Sequence, residues 1–270
     1  MGQIVIYQQN MCGCDIQNRE KALEGMLYVL NHKKPDIIFL SEVAKDICPS
    51  LNEIEGYTII QPVEDITKGD TAACLLLIND KTVEIENEVP KKSKERNAVQ
   101  LKKKRYVEAR LRLQGVRLDC FFAYVQQCYP SIYTKYSVGK RQPHKYSESE
   151  VKSIISDNQN NIEAKAEMLF GAYMFWNDNR CNYTFIGGDL NTDLSNKNGR
   201  CKNIFSQLYN EMVDTIIEKH VGEPTWSGER LDYALISKAL DKEYTCTTEY
   251  IYDTGSDHKG LLTTMTKNNN

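Results

Sequence analysis

Proline and glycine are scarce in this sequence, and long apolar runs are missing. Of 270 residues only 7 are proline and 15 are glycine, too few for a collagen-like or low-complexity chain. The longest apolar run, around residues 72–78, has the length of a strand and falls far short of the roughly 20 residues that a membrane span needs. No basic segment followed by an apolar one opens the chain, so no secretion signal is predicted. We therefore expect a soluble, intracellular protein of the cytoplasm or nucleus, with no membrane partner.

The cysteines show no disulfide pattern. There are nine of them, an odd number without repeated spacing, and this is typical of reduced thiols in an intracellular chain. Cys12-Gly13-Cys14 is the one close pair, and without a second Cys or His cluster it indicates zinc only weakly. The composition, 41% hydrophobic and 26% charged, is that of a globular protein. We expect a monomer with a single domain over residues 1–266, a long insertion or loop at 126–161, and a disordered tail at 267–270.

The net charge of −3 conceals a strongly basic segment. Between Lys91 and Arg117 eleven basic residues stand against two glutamates, a net +9, so the rest of the chain carries −12. Alternation along a strand would place Arg110 and Arg112 on one face. A solvated loop beside a strand is the plain interpretation, and a row of charge that contacts phosphates is the functional one.

Hydrophobic periodicity predicts alternating strands and helices. An amphipathic pattern predicts helices at 19–32, 162–176 and 204–213. Strands are predicted at 3–8, 36–40, 57–60, 72–78, 83–88, 106–113, 116–125, 183–186, 231–237, 245–252 and 260–266. Gln114-Gly115 is a candidate hairpin turn. This mixture predicts an α/β protein in which two mixed β-sheets pack face to face, with helices on the outside.

Acidic and amide residues follow several of the predicted strands. Each is unremarkable alone, because an Asp-x-Asn sequence is more often a turn or a helix cap. Together they predict a site, since carboxylate and amide oxygens are the ligands that Mg²⁺ prefers and a histidine beside such an ion suits phosphoester hydrolysis. The residues are Asn10, Glu42, Asp189, Asn191, Asp232, Asp257 and His258.

The order of these motifs resembles the endonuclease/exonuclease/phosphatase superfamily, whose members have a deoxyribonuclease I-like, four-layer α/β sandwich. The motifs run from Gln3 to Thr266. They include the stretch from Pro35 to Glu42, Gly188-Asp189-Leu190-Asn191 and Ser256-Asp257-His258. Tyr124, together with the stretch from Trp226 to Tyr233, is nearest to the exonuclease III and apurinic-endonuclease branch.

The resemblance implies roles for individual residues. Glu42 is the acidic metal ligand, and Asn10 and Asp257 complete the metal environment. Asp189 orients or deprotonates the attacking water, and Asn191 and Tyr124 help to hold the phosphate. His258 contacts the scissile phosphate and is oriented by Asp232. The first motif departs from the family, since Gln9 stands where relatives more often have an aromatic residue before the asparagine.

The implied reaction is Mg²⁺-dependent hydrolysis of a phosphodiester, with Mn²⁺ as a substitute metal. DNA is the leading substrate, cut to a 3′-hydroxyl and a 5′-phosphate. The basic segment, Arg141, Lys145 and Trp226 are candidate DNA contacts. The alternative substrate is a small phosphorylated molecule, such as an inositol phosphate or a (cyclic) nucleotide. A third hypothesis is a catalytically inactive binding module.

Overall fold

The computed structural model describes residues 2–13, 15–60, 73–86, 105–125, 148–195 and 201–268. The strands of this part of the chain are β1 (Ile4–Asn10), β2 (Ile37–Val43), β3 (Tyr57–Ile59), β4 (Ala73–Asn79), β5 (Val83–Ile85), β6 (Tyr106–Leu113), β7 (Val116–Tyr124), β8 (Thr184–Asp189), β9 (Val213–Asp214), β10 (Asp232–Ile236), β11 (Tyr244–Ile251) and β12 (Gly260–Lys267). Its α-helices are α1 (Ile16–Lys33), α2 (Cys48–Asn52), α3 (Glu148–Asn179), α4 (Lys202–Glu211) and α5 (Lys238–Glu243).

The strands form two mixed sheets of six strands each. The first has the order β11-β12-β1-β2-β4-β3, and the second has the order β5-β6-β7-β8-β10-β9. Within them β1 runs parallel to β2, and β7 runs parallel to β8. The predicted α/β class with two mixed sheets is therefore confirmed.

Three apolar layers hold the sheets and helices together. The central layer lies between the sheets, where the rings of Phe39 and Phe122 stack with centroids 5.0 Å apart. A second layer packs α1 on the first sheet through residues such as Met26. A third packs α3 and α4 on the second sheet through Phe175 and Phe205. The order helix, sheet, sheet, helix is the sandwich that the residue pattern predicted.

Local sequence signals account for the ends of the first helix and for the central hairpin. The Asp15 side chain caps α1 by accepting a hydrogen bond from Gln17 N at 3.0 Å. The helix ends at Lys33, directly before a left-handed Lys34 and then Pro35, which disfavours helical backbone before it. Gln114 and Gly115 both have positive φ, as a two-residue turn between twisted strands requires.

Some predicted boundaries were wrong. The tail is shorter than expected, because Lys267 ends β12 and Asn268 N donates to Glu243 O at 2.8 Å. Strand β5 ends at Ile85. The proposed insertion at 126–161 lies outside the described residues up to position 147, and from Glu148 onward it is the first part of α3. Helices α2 and α5 and strand β9 are too short for periodicity to reveal.

Among the described residues, none of the helices combines the length and the apolar character that crossing a bilayer requires. The described cysteines carry free thiols. Cys14, the second member of the close pair, lies outside the described residues.

Candidate active site

Polar side chains gather where the central strands of both sheets end, on one side of the molecule. This region is the active-site edge. Asn10, Tyr124 and Asp189 are the last residues of β1, β7 and β8. Asp232 is the first residue of β10, which runs antiparallel to β8 and pairs Asp232 with Asp189. Because one strand ends where its antiparallel neighbour begins, the sheet topology brings these residues to the same edge.

A hydrogen bond joins the two sheets at this edge. Asn10 Nδ2 donates to Asp189 Oδ2 at 3.1 Å, and the backbone N–H of Asn191 donates to Asp189 Oδ1 at 3.0 Å. Both Asn10 and Asp189 are 1% exposed. Burial, followed by the charge of Asp232, raises the pKa of Asp189 well above its usual value, and the charge of His258 opposes this. Asp189 is therefore a carboxylate with increased proton affinity.

His258 lies between two carboxylates. Its Nδ1 atom is 2.8 Å from Asp232 Oδ2, and its Nε2 atom is 4.0 Å from Asp189 Oδ2. Burial lowers the pKa of His258, but the charge of Asp232 and its hydrogen bond raise this pKa by more, so that it reaches about 10. At neutral pH the ring is thus a cation whose Nδ1 donates to Asp232 Oδ2, while the 4.0 Å from Nε2 to Asp189 Oδ2 is too long for a hydrogen bond.

Glu42 reaches the site through an irregularity in β2. The register of β2 against β4 shifts between Leu40 and Val43, and Glu42 itself has a φ of 51°. Such bulges redirect a side chain near active sites, and a positive φ is strained for glutamate. The carboxylate lies within hydrogen-bonding reach of Tyr124 and Asn10. Burial raises the pKa of Glu42, while these two donors and the charge of His258 counteract the increase.

Tyr124 is a buried phenol beside Glu42, and Arg105 covers its ring. Burial, with the charges of Glu42 and Asp189, raises the pKa of Tyr124, so the phenol stays neutral and able to donate. The guanidinium carbon of Arg105 lies 5.0 Å from the centroid of the Tyr124 ring. Arg105 Nε and Nη1 are buried and have no hydrogen-bond partner among the described residues. The basic segment therefore does bring a cation to the site. That cation is Arg105, whereas alternation along the strand predicted Arg110 and Arg112.

Asp257 is held on both carboxylate oxygens. Cys12 Sγ donates to Oδ1 at 2.7 Å, and Trp226 Nε1 donates to Oδ2 at 2.8 Å. Burial works to raise the pKa of Asp257, but these hydrogen bonds and the charge of His258 lower it below its usual value. The Trp226 ring centroid is 5.9 Å from that of His258, so the predicted substrate contact Trp226 borders the site.

Asn191 is fixed from two sides. It has a φ of 47°, a left-handed conformation that asparagine tolerates. Its Nδ2 atom donates to Val125 O at 2.9 Å, and the ammonium group of the buried Lys165 donates to its carbonyl oxygen. The side-chain amide retains a second N–H. Lys165 was not found from the sequence, since it occurs within an ordinary amphipathic helix pattern.

The prediction that Arg110 and Arg112 present a row of charge to phosphates is wrong. Both residues lie on one face of β6, as alternation predicts, but Arg110 is buried and its Nε donates to Asp119 Oδ1 at 2.7 Å. Arg112 forms an ion pair with Glu86 and pairs in register with Arg117, beside the hairpin turn. Tyr124 lies seven residues beyond Arg117 along β7, a distance of roughly 23 Å at the usual rise of a strand. Neither arginine is therefore available to a phosphate at the site.

Two further predicted contacts, Arg141 and Lys145, lie outside the described residues.

Two sets of residues at this edge suit a cation. Asp189, Asp232 and His258 each place one ligand atom within 4.8 Å of the others. In this set His258 Nδ1 is already hydrogen-bonded to Asp232 Oδ2 at 2.8 Å. The other set, Glu42, Asn10 and Asp257, offers oxygen atoms, and the raised pKa of Glu42 marks a carboxylate charge that a cation would stabilise.

No protein-family model and no curated protein matches the chain. Solved structures are similar over almost its whole length. D. rerio TDP2 complexed with a single-strand DNA product is 15% identical, with 99% of this chain and all of that chain covered and a TM-score of 0.67. An AP endonuclease from Archaeoglobus fulgidus is 16% identical, with 96% and 98% covered and a TM-score of 0.61. The endonuclease domain of the retrotransposon TRAS1 is 13% identical, with 98% of each chain covered and a TM-score of 0.57.

These likenesses confirm the fold that the sequence motifs implied. The chain has the deoxyribonuclease I-like α/β sandwich, with two six-stranded mixed sheets between helices. At such low identities the likeness concerns the fold, and the chemistry has to be argued from the side chains at the sheet edge.

Proposed function

We propose that this protein is a metal-dependent phosphodiesterase that cleaves DNA to a 3′-hydroxyl and a 5′-phosphate. The proposal depends on one arrangement of side chains: Asp232 is hydrogen-bonded to His258, His258 Nε2 lies 4.0 Å from Asp189, and Asn10 from the other sheet is hydrogen-bonded to Asp189. It combines a carboxylate of raised pKa, a protonated imidazole and amide donors at one edge. This is the set of groups that phosphoryl transfer to water requires.

Asp189 acts on the attacking water. A carboxylate accepts a proton more readily when its pKa is raised, and the pKa of Asp189 is raised by burial and by Asp232. Asn10 Nδ2 and Asn191 N occupy one position on each carboxylate oxygen, which fixes its orientation. The remaining lone pairs are left to accept a hydrogen bond from the attacking water.

His258, Tyr124 and Asn191 stabilise charge on the phosphate oxygens. Asp232 holds Nδ1 of the protonated His258 ring, so Nε2–H is left to donate to the substrate. The Tyr124 phenol stays neutral and donates as well, and Asn191 offers its second amide N–H. A single preorganised donor of this kind can contribute about 3–4 kcal/mol at the transition state.

Glu42, with Asn10 and Asp257, would hold Mg²⁺, and Mn²⁺ would substitute for it. The buried Glu42 and the neighbouring charge of Asp257 fit a divalent cation, because their carboxylates repel each other without one. When bound, the metal supplies neutralisation of the charge on the phosphoryl oxygens.

Arg105 supports a substrate that carries phosphate. Its guanidinium lies over Tyr124, and its buried N–H groups have no partner among the described residues. Buried N–H groups of a cation that have no partner are stabilised by an anion that arrives with the substrate. Trp226 offers an aromatic surface for a base, and Arg141 and Lys145 are proposed as further contacts.

We propose that the protein acts as a monomer inside the cell, in cytoplasm or nucleus, and away from membranes.

The second candidate function is hydrolysis of a small phosphorylated molecule, such as an inositol phosphate or a (cyclic) nucleotide. The pairing of Arg110 with Asp119 and of Arg112 with Glu86 favours it, because β6 then offers no row of unpaired charge to a DNA backbone. Salt distinguishes the two substrates. Contact with several phosphates makes binding fall steeply with ionic strength, whereas a compact substrate gives a shallow slope.

One experiment tests the proposal. The protein is incubated in Mg²⁺ with supercoiled plasmid, linear single- and double-stranded DNA, an abasic oligonucleotide and a panel of phosphoinositides, each with and without EDTA. Nicked circles that are lost with EDTA and with Asp189→Asn support the endonuclease. Release of free phosphate without cleavage of DNA supports the second candidate. No turnover of any substrate contradicts both and supports an inactive binding module.

A further inference from the structure

Gln9, the residue directly before Asn10, is buried and turned away from the active-site edge. It is 3% exposed, and alternation along β1 places its side chain on the face opposite to that of Asn10. That face packs against α1. A glutamine in such a position must find partners for its whole amide, because an unsatisfied buried amide group costs about 1–3 kcal/mol.

The Gln9 amide is fully engaged and joins three parts of the chain. Nε2 donates to Ala22 O in α1 at 2.9 Å and to Thr254 O at 3.1 Å. Oε1 accepts a hydrogen bond from the Tyr7 hydroxyl at 2.6 Å. One amide group thus ties strand β1 and helix α1 to the loop that precedes His258.

The same loop touches the backbone of α1. A Cβ atom on Gly25 would lie 2.2 Å from Thr254 O, which leaves no room for a side chain there. Thr254 O is therefore fixed both by the contact with the helix and by the Gln9 amide. The position of this carbonyl restricts the backbone path of the loop that leads to His258.

Thr254 transmits this position to His258. Its Oγ1 atom donates to His258 O at 2.8 Å and accepts from Ser256 N at 3.2 Å. Ser256 Oγ in turn accepts from His258 N at 3.1 Å. Both backbone polar groups of His258 are thus held by side chains of a loop in which Gln9 binds the carbonyl of Thr254.

We infer that Gln9 is a positioning residue that acts through Thr254 to set the His258 imidazole between Asp232 and Asp189. Its kinetic consequence rests on the proposed hydrolysis, whereas its structural consequence at His258 does not. Loss of the two amide donors lets the loop shift, and a displacement of about 1 Å at a reacting group can cost up to about 100-fold in rate.

The test compares Gln9→Met with Tyr7→Phe. Methionine has a similar length and lacks both donors, while Tyr7→Phe removes the third hydrogen bond of the same cluster and leaves both donors in place. We expect Gln9→Met to lower kcat about 10- to 100-fold with KM within about twofold, and Tyr7→Phe to keep kcat within about twofold.

The second readout is independent of turnover. The chain has four histidines, and ring-labelled histidine gives resolvable NMR signals, with that of His258 assigned by its loss in His258→Gln. At one fixed pH, we expect the His258 signal to move in Gln9→Met and to stay in place in Tyr7→Phe. Thr254→Val removes the next link without changing Gln9, and Thr254→Ser restores the hydroxyl. If Gln9→Met does not fold, this pair decides by the same two readouts.

The outcomes separate the two proposals. A wild-type protein without hydrolytic activity, but with a His258 signal that moves as expected, would contradict the proposed function and leave the positioning role supported. A lowered melting temperature with kcat and the His258 signal unchanged in both Gln9→Met and Thr254→Val would overturn the positioning role. In that case Gln9 is only a stabilising residue of the core.

Discussion

Asn10 and Asp189 are 179 positions apart in the chain and meet at 3.1 Å, each at the end of a central strand in a different sheet. This contact places a carboxylate of raised pKa at the junction of both sheets. It also makes the site dependent on the packing of the sheets, since a slip of either strand would separate the two side chains.

Asp189→Asn should reduce kcat about 10³-fold, because an amide cannot accept the proton of the attacking water. The same change removes a buried charge that burial disfavours, so the variant should be at least as stable as the wild type. Single-turnover plasmid nicking and a thermal melt measure the two effects. Lost activity together with a lower melting temperature would indicate a structural role instead.

Removal of the metal should abolish turnover, and Mg²⁺ should raise the melting temperature by binding the folded state alone. Glu42→Gln should weaken Mg²⁺ binding at least about tenfold, because a carboxylate is replaced by a neutral amide. A melting-temperature titration with Mg²⁺ measures this without any substrate. Glu84→Gln is the matched control, since Glu84 is exposed at a distant strand. Equal titration curves for both variants would exclude Glu42 as a ligand.

Arg105→Gln should lower kcat/KM for DNA about 10- to 100-fold and flatten its dependence on salt, because one charged contact to a phosphate is lost. Arg112→Gln is the control for charge, since Arg112 pairs with Glu86 beside the hairpin turn. Cleavage of a labelled duplex at several salt concentrations measures both. A larger loss of kcat/KM in Arg112→Gln than in Arg105→Gln would show that the arginines of β6 contact DNA after all.

The pair of His258 and Asp232 should make stability depend on pH. The pKa of His258 is raised from 6.5 to about 10 in the folded state, so the stabilisation is fully present below about pH 6.5 and is lost as the pH rises through about 10. Urea unfolding in EDTA measures it at pH 6 and at pH 10.5. The stability difference between wild type and Asp232→Asn should be smaller at the higher pH. A difference that stays constant would mean that Asp232 does not raise the pKa of His258.

Arg110→Met should destabilise the fold by about 3–5 kcal/mol, because Asp119 is then a buried charge without its partner. The double variant Arg110→Met with Asp119→Leu should recover a substantial part of this loss. Denaturant unfolding gives both values. A neutral effect of the single variant would show that Asn182, which also donates to Asp119, satisfies the carboxylate alone.

The sequence by itself determined the layered α/β architecture and the set of polar residues at strand ends. The reason is local: periodicity reports which face of a strand or helix is buried, and strand β6 has the predicted bounds, Tyr106–Leu113. The polar residues that the motifs singled out, among them Asn10, Asp189 and His258, do meet at one edge. The order of strands in the fold brings the ends of their strands together.

Only the tertiary structure decided which charges are free. Arg110 and Arg105 lie in the same basic segment, yet one is neutralised by Asp119 and the other covers Tyr124. Likewise, the bond from Gln9 to Thr254 joins residues 245 positions apart. Pairing of charges and amides depends on neighbours that are distant in the chain, and no periodic pattern in the sequence encodes those neighbours.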